Sequence, residues 1–395
     1  MGVQYQYVSE NEMPERLFYD RDNQTELLNP QLSLDFRKNV QYQIAGFSLR
    51  RNTKKFKSEI GAKWQRTSLK GIINNEDSLR SYFSNVLPSI ALDLRLKKGK
   101  RLEIDYNTNV RIPRLEELSP IPDNSNPQYQ YAGNPILRPE YNHSLQFRFN
   151  FFDNFNFTNL FSHLTLNYSK SKIVYQSEID NQLFTKVTPI NSDRYLNATS
   201  YLSFSKPFRP LNLKYSMRVI FNKSNYDSFL NNDRSVIDEN NLNLKFALQN
   251  RKTDYVFMEV GITWDRNSRA YQIDPTFNQV FYSLNYFLDN EFYLPKGFTF
   301  STSLIYDNYS SNGFENAPAI LEWNASVKKL FFKNKVELSF SVQDILNQRI
   351  GYERSGTGTS IREVSYETIG QLFLIGINYK LGKGQKKSGI QVEFE

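Results

Sequence analysis

The sequence predicts an all-β protein, an antiparallel transmembrane β-barrel with about sixteen strands in this chain. Three observations support this fold class. Apolar and polar residues alternate strictly along many segments, the segments are of similar length, and the connections between them alternate between short turns and long loops.

The alternation is clearest at 211–222, where the odd positions are apolar or aromatic and the even positions are polar, except for Ile220. The pattern recurs at 102–110, 242–249, 256–265, 298–307 and 336–343. Successive side chains of a strand point to opposite faces, so each segment has one apolar and one polar face. Further strands are predicted at 3–8, 40–49, 56–69 and 369–381.

The length of the predicted strands distinguishes a membrane β-protein from a soluble one. The predicted strands run for about ten residues, which is what a tilted strand needs to cross a bilayer, whereas ordinary strands average nearer five or six. The alternative is a soluble all-β protein such as a sandwich, propeller or fibre, which also has two-faced strands. Aromatic residues near the strand ends favour the membrane protein, because they suit interfacial girdles: Tyr42, Trp64, Tyr106, Tyr168, Trp264, Tyr306, Trp323 and Tyr379.

The predicted connections differ between the two ends of the sheet. Short turns are predicted at 52–55, 97–100, 153–156, 206–210, 250–254, 294–297 and 331–334. Long loops are predicted at 70–85, 112–141, 222–239, 266–277, 308–317 and 344–367, and 170–193 is interpreted as a hairpin projecting beyond the membrane strands. In outer-membrane barrels short turns face the periplasm and long loops face the exterior, so the same arrangement is expected here.

Composition excludes several classes of protein. The 395 residues include no Cys and two His, which excludes thiol chemistry, disulfides and the usual clustered metal sites, so we expect no cofactor and no metal. The longest apolar run, 372–377, is far too short for a membrane helix. The net charge is +8, but the Lys and Arg residues are interspersed with carboxylates and form no basic stripe. Nucleic acid is therefore not an expected partner. Residues 1–10 lack the features of a signal peptide, so we expect either a cytosolic protein or a fragment.

One loop region carries a specific motif. At 111–149 a strand ends in R-x-P-x-x-x-x-L-x-P, a loop with D-N-x-x-P and G-N-P-x-L-x-P-E follows, and the next strand begins. This segment resembles TonB-dependent outer-membrane receptors, and most closely their outer membrane β-barrel family relatives. The residues that match are Arg111, Pro113, Leu118, Pro120, Asp123, Asn124, Pro127, Gly133, Asn134, Pro135, Leu137, Pro139 and Glu140. The prolines and the Gly133-Asn134 pair predict a rigid loop.

A second match lies at 336–381, where a strand runs into a D-x-x-N loop start at Asp344 and Asn347 and a closing strand follows. The closing strand resembles the C-terminal strand that the barrel-assembly machinery reads. We expect the barrel portion to span 1–382 and a polar C-terminal tail to span 383–395.

The resemblance implies a function in the outer membrane of a Gram-negative bacterium. Receptors of this kind have a plug domain, a TonB box and a barrel of about 22 strands, so this chain is expected to be the C-terminal portion of such a barrel, with the plug absent. The implied partners are outer-membrane lipid, the TonB complex acting through the plug, and the barrel-assembly machinery. The implied ligand is scarce, of the siderophore, vitamin, glycan or peptide class. A passive sixteen-stranded porin or a structural outer-membrane protein is the alternative, followed by a soluble β-rich adhesin.

Catalysis is not expected, because no catalytic constellation is found. His143 and His163 have no carboxylate cluster near them in sequence, and Glu116 and Glu117 are interpreted as a solvated loop pair.

Two sets of residues are candidates for contact with a transported ligand. Polar strand positions are predicted to line a barrel lumen: Glu59, Lys63, Asp93, Arg95, Glu103, Asp105, Arg148, Lys214, Arg218, Lys245, Glu259, Asp265 and Glu337. Loop aromatics are predicted either to grip a ligand or to form a packing cap: Tyr129, Tyr131, Tyr226, Phe229, Tyr309 and Tyr352.

Overall fold

The computed structural model describes residues 1–13, 15–16, 19–22, 25–28, 34–73, 76–97, 99–126, 128–311, 319–356 and 361–380. Pro127 and the predicted tail at 383–395 lie outside these ranges. Most of the described chain is β-strand. Among the described residues, none of the helices has the length and apolar character needed to span a membrane.

The first fourteen strands in chain order are β1 (Gly2–Glu12), β2 (Glu15–Arg16), β3 (Tyr19–Asp22), β4 (Thr25–Leu28), β5 (Leu34–Asn52), β6 (Phe56–Ile73), β7 (Glu76–Arg95), β8 (Lys100–Arg111), β9 (Asp123–Asn126), β10 (Tyr129–Tyr131), β11 (Glu140–Asp153), β12 (Thr158–Lys170), β13 (Lys172–Ile179) and β14 (Thr185–Ser192). The others are β15 (Tyr195–Phe208), β16 (Leu213–Leu230), β17 (Asp233–Asn250), β18 (Val256–Tyr271), β19 (Gln279–Leu294), β20 (Phe298–Ser311), β21 (Ala319–Phe331), β22 (Val336–Gln343), β23 (Ile350–Gly356), β24 (Ile361–Glu367) and β25 (Leu372–Tyr379). One α-helix, α1, spans Leu115–Leu118, and 3₁₀ turns span Arg209–Leu211, Pro275–Phe277 and Pro295–Gly297.

The chain forms two compact units. The first comprises Met1–Phe204, Arg218–Asn243 and Arg266–Val280. In it β1, β5, β6, β7, β8, β11 and β12 pair in that order, each antiparallel to the next. β13 and β14 form an antiparallel hairpin, as predicted for 170–193, and the short β10 adds to β14 in parallel.

The second unit comprises Ser205–Met217, Leu244–Asp265 and the described residues from Phe281 onward. In it β19, β20, β21, β22 and β25 pair antiparallel in that order. The connection from β22 to β25 contains a hairpin of its own, β23 with β24.

The strand register separates an apolar face from a polar face. On one side of the first unit, Ile60 lies opposite Ile90, and Ile90 lies opposite Tyr106. Large apolar side chains on this side are exposed: Phe47, Ile60 and Val86 have 52%, 55% and 60% of their surface accessible. We call this side the apolar face and the opposite side the polar face. A continuous exposed apolar face is what lipid covers in an outer-membrane protein, and it confirms the two-faced strands.

Several predicted loops are wrong, because the strands continue through them. In the predicted loop at 70–85, the described residues 70–73 and 76–85 are a paired extension of β6 and β7, which are 18 and 20 residues long. The predicted loop at 222–239 is strand on both sides of a turn at Asn231 and Asn232, and the first half of the predicted loop at 266–277, residues 266–271, belongs to β18. Away from the bilayer both faces of a strand meet water, so the apolar alternation fades while the backbone pairing continues.

The short turns are confirmed, with shifts of a few residues at 206–210. The long connections at 112–141 and 344–367 are also confirmed and contain α1, β9, β10 and the β23–β24 hairpin. The predicted loop at 308–317 begins inside β20, and its part from 312 lies outside the described residues.

Candidate functional site

The connection between β8 and β11, which we call the motif loop (111–140), is anchored where it leaves and rejoins the sheet. Arg111 ends β8 and lies opposite Glu140, the first residue of β11. The Arg111 Nη1 donates to Glu140 Oε1 at 2.9 Å, and its Nη2 donates to Glu117 Oε1 at 2.7 Å. One guanidinium therefore joins two carboxylates whose side chains are almost completely buried.

Glu117 lies in α1, and its side chain caps the N-terminus of that short helix. The Arg114 backbone N–H donates to its Oε2 at 2.7 Å, and the Tyr175 hydroxyl donates to its Oε1 at 3.1 Å. Burial by itself would raise the pKa of the Glu117 carboxyl, but the bonds from the Arg114 N–H and from Arg111 outweigh it, so the pKa lies below its ordinary value. The interpretation of Glu116 and Glu117 as a solvated pair is correct for exposed Glu116 and wrong for Glu117. The missed signal was a glutamate at the third helical position, which is typical of a capping box.

Glu140 ties the motif loop to the β13–β14 hairpin. Its Oε1 accepts a hydrogen bond from the Ile173 N–H at 3.0 Å, and its Oε2 accepts one from Lys172 Nζ at 3.2 Å. A buried charge is costly unless it is paired and hydrogen-bonded, and Glu140 meets both conditions.

Apolar residues of the motif loop pack onto the polar face of the sheet. Leu115, Leu118 and Leu137 form a buried cluster with Val40 of β5 and Leu69 of β6. By strand alternation, Val40 is on the same side as Lys38 and Arg50 of β5, and Leu69 is on the same side as Glu59 and Lys63 of β6. The motif loop therefore folds over the polar face instead of extending away from the sheet.

The turn at Gly133 and Asn134 fixes the returning half of the motif loop. The Asn134 N–H donates to the Glu117 carbonyl at 2.7 Å, and its side-chain Nδ2 donates to the Pro189 carbonyl at 3.1 Å. A Cβ on Gly133 would come within 2.5 Å of the Glu116 and Ser119 carbonyl oxygens, so this position requires glycine. Of the other motif residues, Pro113 is buried, Asp123 and Asn124 lie in β9, and Pro120, Pro135 and Pro139 lie in connecting segments.

A cavity of about 540 Å³ opens between α1, β10 and the β13–β14 hairpin. Three tyrosines contribute to its wall, Tyr129, Tyr131 and Tyr175, and the rings of Tyr131 and Tyr175 lie 6.3 Å apart. The other lining residues are Arg114, Glu116, Glu117, Ser177, Thr185 and Val187. Burial raises the pKa of the Tyr131 and Tyr175 phenols, so both present neutral hydroxyl groups near pH 7.

The predicted loop aromatics fall into three groups. Tyr129 and Tyr131 line the cavity. Tyr226, in β16, donates a hydrogen bond to Glu239 at 2.9 Å, and Phe229 lies opposite Gln176 of β13. In the second unit the rings of Tyr309 and Tyr352 pack at a tilt of 51°, with centroids 5.1 Å apart. The sequence offered no signal for Tyr175, which reaches the cavity from a hairpin 44 positions beyond Tyr131.

The predicted lumen residues all lie in strands, and those of β6, β7, β8 and β11 share the polar face. They form ion pairs across neighbouring strands: Arg148 with Glu103 at 2.5 Å, Arg101 with Asp93 at 2.9 Å, Arg50 with Glu59 at 2.8 Å and Lys245 with Glu259 at 3.9 Å. Asp265 accepts a hydrogen bond from Ser283 at 3.4 Å, and Glu337 lies opposite Asn378 of β25. The remaining predicted lumen residues lie in β6 (Lys63), β7 (Arg95), β8 (Asp105) and β16 (Lys214 and Arg218). Contact of these residues with a ligand stays a prediction.

The second motif is also a structural anchor. The Asp344 side chain is buried and accepts hydrogen bonds at 3.0 Å from the N–H groups of both Gln348 and Arg349. The Asn347 Oδ1 accepts a hydrogen bond at 3.0 Å from the N–H of Gln371, next to the start of β25. Both residues therefore position the chain between β22 and β25.

An antiparallel sheet with an exposed apolar face, a charged polar face and an ordered loop folded over the latter defines an outer-membrane β-barrel type of protein. The chain belongs to the outer membrane protein beta-barrel family, whose model matches residues 1–379. It is a protein of the Gram-negative cell outer membrane.

Two solved structures are similar to the chain at low identity. The outer membrane transporter YddB from Escherichia coli is 8% identical, with 95% of this chain and 80% of that chain covered and a TM-score of 0.23. Pseudomonas aeruginosa OccK7 (OpdD) is 12% identical, with 95% of each chain covered and a TM-score of 0.22. A comparison with curated proteins finds no match.

Proposed function

We propose that this chain is the barrel portion of a TonB-dependent receptor-like transporter that takes up a scarce ligand across the outer membrane. The observation that carries the proposal is the tyrosine-lined cavity built by the motif loop. Its volume of about 540 Å³ falls within the range of small-molecule sites. The resemblance of the motif loop to TonB-dependent receptors supports the energised mode of transport.

The contacts that hold the motif loop against the polar face favour a receptor over a passive pore. A loop held over the polar face by two buried carboxylates and an apolar cluster narrows the path along that face. A binding site at its edge would capture a dilute ligand before transport, whereas a diffusion pore has no need of one. TonB, acting through a plug domain, would supply the energy, and the barrel-assembly machinery would insert the protein.

The cavity wall suggests the chemistry of the ligand. Neutral tyrosines offer flat faces and hydroxyl groups, Ser177 and Thr185 add hydroxyls, and Arg114 adds one cation. This mixture suits a small molecule with a ring and several polar groups, which siderophores, vitamins and glycans all have.

Uptake by the native bacterium tests the proposal. A deletion strain would be complemented with the full-length wild-type gene, with Tyr129→Ala plus Tyr131→Ala, or with Tyr309→Ala as a β20 tyrosine that does not line the cavity. Radiolabelled ferric chelates, cobalamin, oligosaccharides and peptides are the probes, each with and without a protonophore. We expect uptake of one class to be lost on deletion, stopped by the protonophore and reduced about tenfold or more by the cavity variant alone.

Two results would contradict the proposal. Uptake that persists with the protonophore, together with steady ion conductance of the full-length protein in planar bilayers, would indicate a passive porin. Equal loss in the cavity variant and in Tyr309→Ala would exclude the cavity as the ligand site. The native reading frame upstream of Met1 gives a separate test, since a receptor of this kind encodes a plug and a TonB box there.

A further inference from the structure

The polar face of the first unit changes character along its strands. Toward the short turns it carries charges of both signs, including Glu103, Asp105 and Arg148. Toward the long connections it carries the pair of Arg111 and Glu140 that anchors the motif loop. On β8, β11 and β12 the polar-face positions between these two charged regions are amides and hydroxyls. We call them the amide band: Asn107, Asn109, Asn142, Ser144, Gln146, Thr165, Asn167 and Ser169.

Hydrogen bonds join the amide band across the strands. Ser169 Oγ donates to Asn142 Oδ1 at 2.6 Å, and Asn142 Nδ2 donates to Asn109 Oδ1 at 3.1 Å, so one ladder crosses β12, β11 and β8. Asn167 Nδ2 donates to Asn197 Oδ1 at 3.2 Å, which extends the contacts to β15. An amide has two N–H donors and two acceptor lone pairs, so it can bond a neighbour and a ligand at the same time. The ladder therefore holds its amides in place as a hydrogen-bonding surface.

The amide band begins next to the anchor of the motif loop. Asn109 and Asn142 lie directly opposite each other, and each is two residues along its strand from Arg111 or Glu140. At about 3.4 Å per residue, Asn109 lies about 7 Å and Asn107 about 14 Å along β8 from Arg111. Both asparagines of β8 are exposed. The amide band therefore lies along the polar face between the motif loop and the short turns.

The chemistry of the amide band suits an uncharged ligand. A charged group that leaves water needs an opposite charge as a partner, and none of the eight residues of the band is ionisable. A neutral molecule with many hydroxyl groups gives up only hydrogen bonds to water. The band replaces both kinds of bond, because amides and hydroxyls act as donors and as acceptors.

We propose that the amide band contacts the transported ligand and that this ligand is a neutral oligosaccharide. Each sugar hydroxyl both donates and accepts a hydrogen bond, as the side chains of the band do. Sugar rings also have apolar faces, which can pack on the flat rings of Tyr129 and Tyr131 in the cavity. The inference rests on the proposed function and narrows its ligand to one class, but the residues that carry it lie outside the cavity.

Uptake by the native bacterium, measured separately from surface binding, tests the inference. A deletion strain would be complemented with the full-length wild-type gene or with one of three double variants. Asn109→Leu plus Asn142→Leu removes hydrogen-bonding groups at similar volume, and Asn109→Ser plus Asn142→Ser keeps such groups. The matched control is Asn11→Leu plus Asn39→Leu, another pair of directly opposite, hydrogen-bonded asparagines, on the apolar face. Heat-modifiable gel mobility verifies that each variant is folded.

The probes are radiolabelled neutral hexasaccharides of glucose, xylose, mannose and galactose, together with ferric citrate, cyanocobalamin and a pentapeptide. We expect uptake of one hexasaccharide that a protonophore stops. At saturating ligand the Leu pair should take it up about tenfold or more slowly, because the hydrogen bonds of the band are lost, whereas the Ser pair and the control should stay within about twofold of wild type. Binding to energy-depleted cells should change by about twofold or less in the Leu pair, because the cavity is intact.

The possible failures separate this inference from the proposed function. Wild-type uptake by the Leu pair, or an equal loss in the control, overturns a role of the amide band in transport. Energised uptake of ferric citrate, cyanocobalamin or the peptide, without that of any hexasaccharide, overturns the choice of ligand and leaves the proposed function standing. Energised uptake of none of the probes contradicts both.

Discussion

At the scale of single residues, Glu117 shows how the motif loop is held. Its carboxylate receives hydrogen bonds from a backbone N–H, from Arg111 and from the Tyr175 hydroxyl, and each donor comes from a different part of the fold. A carboxylate with that many donors is satisfied despite burial, and its loss removes the acceptor of the Arg114 N–H and of Arg111 Nη2. Glu117 therefore links α1, β8 and β13.

Replacing Glu117 by Gln is expected to loosen the motif loop. Loss of one partner of a buried ion pair costs about 3–5 kcal/mol, and we expect about 3 kcal/mol or less here because Arg111 is 33% exposed. Limited proteolysis of the full-length protein in detergent micelles measures the effect as faster cleavage within 111–140. The exposed neighbour Glu116→Gln is the matched control and should cleave at the wild-type rate. Equal cleavage of the two variants would show that Glu117 does not hold the loop.

Lowering the pH is expected to destabilise the motif loop. Because the folded pKa of Glu117 lies below its ordinary value of about 4.5, the stability that its charge contributes is fully present above about pH 4.5. It is lost as pH falls further, through the lowered folded pKa. Hydrogen exchange of 111–140, corrected for the intrinsic pH dependence, should show protection falling only on the acid side of pH 4.5. Glu117→Gln should remove this dependence, and an unchanged profile in that variant would assign it to another group.

At the scale of elements, the turn from β16 to β17 consists of two asparagines in left-handed conformation. Asn231 and Asn232 have φ of 49° and 68°. A two-residue turn with positive φ at both positions matches the twist of the strands that it joins, and Asn tolerates this conformation better than most residues. The side-chain oxygen of Asn232 also accepts a hydrogen bond from Gln176 at 2.6 Å.

Asn232→Ala is expected to destabilise this hairpin tip by about 1–2 kcal/mol, because alanine is strained at positive φ. Asn232→Gly relieves the strain while losing the same bond to Gln176, so it should cost less than Asn232→Ala. Hydrogen exchange of the amides at 225–238 measures the difference. If both variants exchange equally fast, the bond to Gln176 and not the backbone conformation determines the stability of the tip.

The strands that cross the bilayer could be predicted from the sequence because lipid on one face imposes alternation, as at 56–69 and 256–265. Their extensions at 70–85 and 222–239 could not be predicted, because water on both faces imposes no alternation of apolar and polar residues. The motif residues of the site could be named from sequence. The residues that bind them, Lys172, Tyr175 and Pro189, could not be identified from the sequence, because they come from a separate hairpin.

At the scale of the whole molecule, the tryptophans give the sharpest test of which face meets lipid. Trp64 in the first unit and Trp323 in the second are 44% and 37% exposed, and each indole N–H is bonded to a hydroxyl on a neighbouring strand. Trp264 stacks near Tyr282, with ring centroids 6.3 Å apart. In a soluble protein, partly exposed indoles like these would meet water. In a membrane sheet they meet the acyl chains just below the headgroups.

Brominated lipids distinguish these two environments, because bromine quenches tryptophan fluorescence only on contact. The chain has three Trp, so variants that keep one and replace the other two by Phe report each position separately. In the full-length protein reconstituted into vesicles, we expect each indole to be quenched more by bromine near the headgroups than by bromine deep in the chains. Acrylamide added to the water should quench each of them weakly. Strong acrylamide quenching without any effect of bromine would show that the apolar face is not covered by lipid.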